Sequence, residues 1–157
     1  MGICMSITEN WTLSGPPRRV VTGLDGQDRS CIIIDGVTDG VIWQTADMPV
    51  SNAGNADRGG PFSFQFATGG TKFIIAELPP SEGLFAPGMH ASNTIDYITI
   101  LRGEVVLVTE TGETKLYPGD AVVDRGVLHG WRCDGPEPAA IAIVMVDAVP
   151  VGPGATV

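Results

Sequence analysis

The chain is poor in the features that mark several large functional classes. It carries 9 lysines and arginines against 18 acids over 157 residues, a formal net charge of −9. The cations are scattered from Arg18 to Arg132 rather than clustered. Binding to phosphate backbones or anionic lipid needs cations gathered on one surface, so nucleic acid and membranes are not expected partners. No apolar run approaches the roughly 18 residues of a membrane-spanning helix. The 3 cysteines, Cys4, Cys31 and Cys133, have neither metal-ligand spacing nor the even count of a disulfide scaffold. With no secretory pattern at the start, they are expected to be reduced thiols of a cytoplasmic protein. Internal repeats are missing, and so is any long stretch of helical periodicity.

What is present is apolar content, 43% of residues, delivered in short bursts rich in Val, Ile and Thr and cut by Gly, Pro and Asp. That rhythm predicts many short strands in one all-β domain over 1–157. The expected strands lie near 18–24, 30–35, 40–46, 71–78, 95–102, 104–110, 120–124, 128–133 and 139–147. Asp35-Gly36, Thr111-Gly112 and Pro118-Gly119-Asp120 supply turn chemistry. Residues 49–61 are rich in Gly, Asn and Asp and read as a loop that can cover a pocket, and the tail 150–157 reads as frayed or lying on a neighbouring chain.

Only two histidines occur, His90 and His129. If 90–96 is extended, His90, Ser92, Thr94 and Asp96 share one face, and that face continues into Ile98 and Ile100. A carboxylate on a buried apolar face needs a cation, a proton or a metal. His129, Trp131 and Cys133 share a face of the later strand, beside Arg125 in the preceding turn. For each residue there is a plainer role: core packing for His129 and Trp131, a small buried thiol for Cys133, surface solvation for Arg102 and Arg125. A Ser92–His129–Asp96 hydrolase triad is disfavoured because no G-x-S-x-G elbow is present.

These segments resemble the cupin superfamily, in particular its small single-domain members. Its first motif, G-x5-H-x-H-x3/4-E-x6-G, is matched by Leu84 (Gly83 is one place early), His90, Ser92 for the second His, Asp96 for Glu, and Gly103. Its second motif is matched by Gly119-Asp120, by Arg125-Gly126 in place of the Pro-containing turn with one residue fewer, and by His129. The resemblance covers about 70–147 and implies a double-stranded β-helix, a jelly-roll cupin barrel with extra N-terminal strands over 18–46. It also implies a homodimer and a divalent metal held by His90, Asp96 and His129. Two imidazoles and one carboxylate suit Fe, Mn, Ni or Zn, and a metal-free site in which the same groups move protons is the alternative.

The functional expectation is an enzyme acting on a small organic acid or carbonyl compound by proton transfer, through decarboxylation, dehydration or isomerisation. His90, Asp96 and His129 would be catalytic, with Ser92, Arg125 and Trp131 binding the substrate. An Fe(II)-dependent dioxygenase and a non-catalytic small-molecule binder are the alternatives.

Overall fold

The computed structural model describes residues 18–24, 29–46, 48–81, 88–110, 112–150 and 156–157. They form ten strands and no helix. The strands are β1 (Arg18–Leu24), β2 (Ser30–Val37), β3 (Val41–Thr45), β4 (Thr71–Leu78), β5 (Thr94–Arg102), β6 (Val105–Thr109), β7 (Gly112–Leu116), β8 (Ala121–Asp124), β9 (His129–Arg132) and β10 (Ala139–Asp147). A five-stranded sheet runs β3-β4-β10-β5-β8, a three-stranded sheet runs β7-β6-β9, and β1 and β2 pair as a separate hairpin. Every described pairing is antiparallel. This is the all-β barrel expected of the short-strand rhythm.

Local chemistry explains the placement of the strands. β5 alternates buried and less buried residues, with Thr94, Asp96, Ile98 and Ile100 all turned inward. β10 is a nearly continuous apolar run (AAIAIVMVD), and it is the central strand of the larger sheet, hydrogen-bonded on both sides. The two sheets close on a core of Ile98, Ile100, Val105, Cys133, Ala139 and Ile141, with Leu116, Val122 and Trp131 packed against it. A smaller cluster of Val41, Ile74 and Met145 lies under Phe66. Gly103, at φ 77°, turns β5 into β6 where a Cβ would come 2.9 Å from Ala139 Cα. No L side chain fits that approach, which accounts for the motif glycine.

Three features differ from expectation. Asp35-Gly36 is not a turn: Gly36 lies within β2 opposite Arg19, and the reversal falls at Asp39-Gly40, with Gly40 at φ 81°. Pairing with β1 outweighs local turn propensity there. A tenth strand, β7, pairs along β6 although its sequence GETKL holds one aliphatic residue. At the tail, Val157 donates its backbone N–H to Ala91 O at 2.9 Å, beside His90. Cys4, Gly83, Leu84 and Thr111 lie outside the described residues.

Candidate functional site

The two histidines meet. His90 and His129 form an isolated antiparallel bridge, with N–H to carbonyl distances of 2.8 and 2.9 Å in the two directions. Their rings stand 4.6 Å apart, centroid to centroid, tilted by 51°. The turn before β9 sets this meeting. Gly126, at φ 74°, presses against the Ser92 carbonyl so closely that a Cβ would overlap it, and Ser92 donates its N–H to Gly126 O at 3.4 Å. The turn that replaces the motif proline is therefore clamped to the segment between His90 and β5.

Each imidazole is oriented by its own backbone. His90 Nδ1 lies 2.7 Å from Gly88 O, and His129 Nδ1 lies 2.9 Å from Val127 O. A carbonyl only accepts, so Nδ1 carries the hydrogen in both rings and Nε2 is left as the atom that exchanges protons. His129 is buried at 2% exposure. Asp124 Oδ2 sits 3.2 Å from His129 Nδ1, yet that oxygen has no hydrogen bond. The N–H is directed to Val127 O, so Asp124 acts on the ring as a charge rather than as an acceptor.

Below the rings lies a line of polar groups on the inner face of β5. Ser92 Oγ and Thr94 Oγ1 are 2.8 Å apart, and the Thr94 side chain hydrogen-bonds Asp96. Either hydroxyl can be the donor between Ser92 and Thr94, so the direction of this chain follows the protonation of Asp96. Asp96 is directly opposite Asp124 in the β5–β8 register. Its Oδ1 is buried with no hydrogen-bond partner. Burial raises the Asp96 carboxyl above the ordinary carboxylate range. The Thr94 hydrogen bond opposes that shift, the Asp124 charge adds to it, and His129 and His90 oppose it.

Ser92 and Thr94 also line a cavity of about 500 Å³, whose other walls include Phe64, Phe66, Met145 and Asp147. Trp131 stands edge-on to His129 at 5.7 Å, and Phe64 edge-on to His90 at 5.3 Å. Among the sequence-predicted site residues, the structure thus gathers His90, Ser92, Asp96, His129 and Trp131.

Arg125 is not gathered with them; it is exposed in the turn after β8. Arg102 is held by the Pro138 carbonyl at 3.0 Å and by Glu77 at 3.3 Å, away from the site. Cys133 is a core thiol whose Sγ donates to Glu137 O at 3.3 Å. The stretch over His90 is not 49–61 but the next one, through Phe64. Asp124 and Phe64 escaped the sequence reading. Asp124 ends the apolar strand AVVD, the same signal of an acid on an inner face that singles out Asp96. Phe64 has no such local signal.

The donor set does not fit the metal implied for His90, Asp96 and His129. Among the described residues no three His, Cys, Asp or Glu side chains are placed to hold one ion. The position of a second motif histidine is Ser92, whose hydroxyl is engaged with Thr94. No helix among the described residues is long and apolar enough to cross a membrane.

Comparison with known proteins agrees with this architecture. Residues 74–146 match the family model described as Cupin domain. The cupin-domain-containing oxidoreductase srdB of Neurospora crassa is 27% identical over 86% of this chain and 76% of its own length. Phomopsin biosynthesis cluster protein D of Diaporthe leptostromiformis is 39% identical over 43% of this chain, which covers 34% of that protein. A sugar phosphate isomerase of the cupin superfamily from Silicibacter pomeroyi superposes with a TM-score of 0.41 at 19% identity, over 50% of this chain and 51% of that one. Residues 74–146 of this chain carry a cupin domain.

Proposed function

We propose that the polar end of the barrel is an acid–base site that moves a proton on a small carbonyl compound, leading to isomerisation, dehydration or decarboxylation. The observation that carries this reading is the pair of adjoining, tilted imidazoles with free Nε2 atoms, near two facing buried carboxylates. A substrate carbonyl in the cavity accepts a hydrogen bond from the Ser92 or Thr94 hydroxyl. The Nε2 of His90 or His129 takes the proton from the adjacent carbon. The Asp124 charge beside His129 Nδ1 stabilises the imidazolium so formed. Burial favours the protonated form of Asp96, and in that form the Thr94 and Ser92 hydroxyls connect it to the developing enolate. Proton return at a different carbon gives isomerisation, and loss of a β-hydroxyl as water gives dehydration; a β-keto acid reaches the same enolate by losing carbon dioxide, and the site then returns a proton to the carbon.

A neutral carbonyl compound suits the site better than an organic acid. No lysine or arginine is among the described residues that line the cavity, while Asp147 lines it and Asp96 and Asp124 lie behind. A homodimer is the proposed assembly, supported by Ile32 and Val37 of β2, which are exposed at 60% and 65%.

The test is α-proton exchange in D2O, followed by NMR over a panel of neutral ketones, aldehydes and keto acids. Deuterium uptake in at least one neutral carbonyl compound is expected, and His90→Ala and His129→Ala should each abolish it. Folded wild-type protein that exchanges none of the panel overturns the reading. The name of the Neurospora crassa relative favours a second reading, an oxidoreductase. Oxidation or reduction of a panel compound without deuterium uptake would move the weight there.

A further inference from the structure

Lys72 is a charged residue in an unusual place. It lies in β4 on the same inner face as Ile74 and is only 5% exposed. No carboxylate among the described residues forms an ion pair with it. Burial lowers its pKa from the ordinary lysine value. A buried ammonium without a counter-ion is expensive unless its donors are satisfied, so what satisfies them shows what the residue is for.

All of its partners belong to one short segment. Lys72 Nζ donates to Ser63 O at 2.6 Å and to Gln65 O. The same nitrogen lies 4.8 Å from the centre of the Phe66 ring and 5.8 Å from that of Phe62, within the range of cation–π attraction. The four groups come from residues 62, 63, 65 and 66, and they flank Phe64 on both sides. Phe64 itself is left free to meet the site: its ring is 5.3 Å from His90 and it lines the 500 Å³ cavity.

Gly60 pairs with Val41 just before the segment, through hydrogen bonds of 2.6 and 3.2 Å, but between that bridge and Phe66 little else fixes it. It contains no strand, and residues 61–65 are exposed. Among the described residues, the two bonds from Lys72 are the hydrogen bonds that join 61–66 to the barrel. Phe66 packs on the cluster of Val41, Ile74 and Met145, which anchors one end, and Phe62 rests edge-on against Phe64 at 5.0 Å. An extended strap with no ladder of its own would sample many positions. One ammonium that binds its backbone on either side of Phe64 selects one of them.

We propose that Lys72 is the positioning residue of the site: it holds the strap 61–67 so that Phe64 stands against His90 and forms the aromatic wall of the ligand cavity. Lysine suits this task because its three N–H donors are compact enough to reach two carbonyls and leave a charge to face the rings. The strap is thereby fastened from inside the barrel, where substrate does not displace the anchor. The inference concerns the geometry of the wall and stands whether or not the site transfers protons.

The test reads the ring of His90 directly. Edge-on contact with Phe64 gives the His90 ring protons a ring-current shift that Phe64→Ala removes. Lys72→Met, close in volume and uncharged, should move the same His90 resonances in the same direction. The double variant should add nothing to either single change. Lys72→Arg should restore most of the wild-type shift, and the Trp131 indole N–H serves as an internal reference that stays in place. Should Lys72→Met fail to fold, Lys72→Gln is read in its stead, with the same expected shift. His90 resonances at wild-type positions in a folded, uncharged variant would overturn the proposal, as would additive shifts in the double variant. The measurement needs no substrate, so its failure is separate from a failure of the deuterium-exchange experiment.

Discussion

The inner face of β5 has two ends that obey the same geometry and do opposite work. At one end Ile98 and Ile100 enter a core of Val105, Cys133, Ala139 and Ile141. At the other, Thr94 and Asp96 continue the same alternation and meet Ser92, Asp124 and His129. Both ends are buried. The apolar end gains from burial in proportion to the surface removed from water. The polar end holds carboxylate oxygens on Asp96 and Asp124 with no hydrogen-bond partner, a loss of about 1–3 kcal/mol for each such group. One strand therefore joins a region that stabilises the barrel to a region that the barrel must support, and only the second has groups able to move a proton.

The sharpest way to break this comparison is to damage the stabilising end. Ile100→Ala should lower the unfolding free energy by about 2–5 kcal/mol in urea titrations, while the His90 and His129 ring resonances of the folded fraction stay in place. The hinge between the ends comes next. Gly126→Ala puts a Cβ into the Ser92 carbonyl at a positive φ, and should cost about 1–3 kcal/mol. Because that turn is clamped to the segment between His90 and β5, the bridge between the histidines should loosen, seen as faster amide exchange at His90 and His129.

At the polar end the sign reverses. Asp96→Asn removes a buried carboxylate and should raise stability by about 1 kcal/mol near neutral pH, while ending deuterium exchange if the acid–base reading holds. A loss of stability instead would mean that the Asp96 charge is paired in solution.

The smallest effect is the pH dependence of that gain. Asp96 has a folded pKa above its unfolded value, so the folded state keeps a proton that the unfolded chain releases. Its contribution is fully present below the ordinary carboxylate range and is lost as pH rises through the raised folded value. The stability difference between wild type and Asp96→Asn should therefore widen with rising pH across that window and then level off. Taking the difference removes Glu113 and Asp134, whose pKa values Arg132 lowers and which act in the opposite direction. A flat difference from about pH 3 to 8, more than four units around the ordinary value, would show that Asp96 titrates as if exposed.

Much of the barrel was legible from residue order. The alternation of Thr94, Asp96, Ile98 and Ile100 could be read because side-chain direction in a strand is a local property, and the short apolar bursts marked nine of the ten strands. β7 was missed because an edge strand with one solvent face needs little apolar content; its pairing with β6 supplies the order. Asp35-Gly36 misled for the converse reason, since hydrogen bonds to β1 hold Gly36 extended whatever its turn preference.

The site divides along the same line. Residue order alone was enough to turn Asp96 inward beside apolar residues and to put His129 on a strand, because parity and strand propensity act over a few residues. Packing across the barrel, not residue order, brings the two tilted rings together, sets Asp124 opposite Asp96, leaves Arg125 exposed, and puts Phe64 against His90. Those facts depend on register between strands distant in sequence and on a single ammonium at Lys72 gripping a strap with no ladder of its own. Distances across a barrel are set by packing, and packing is not a property of any short stretch of chain.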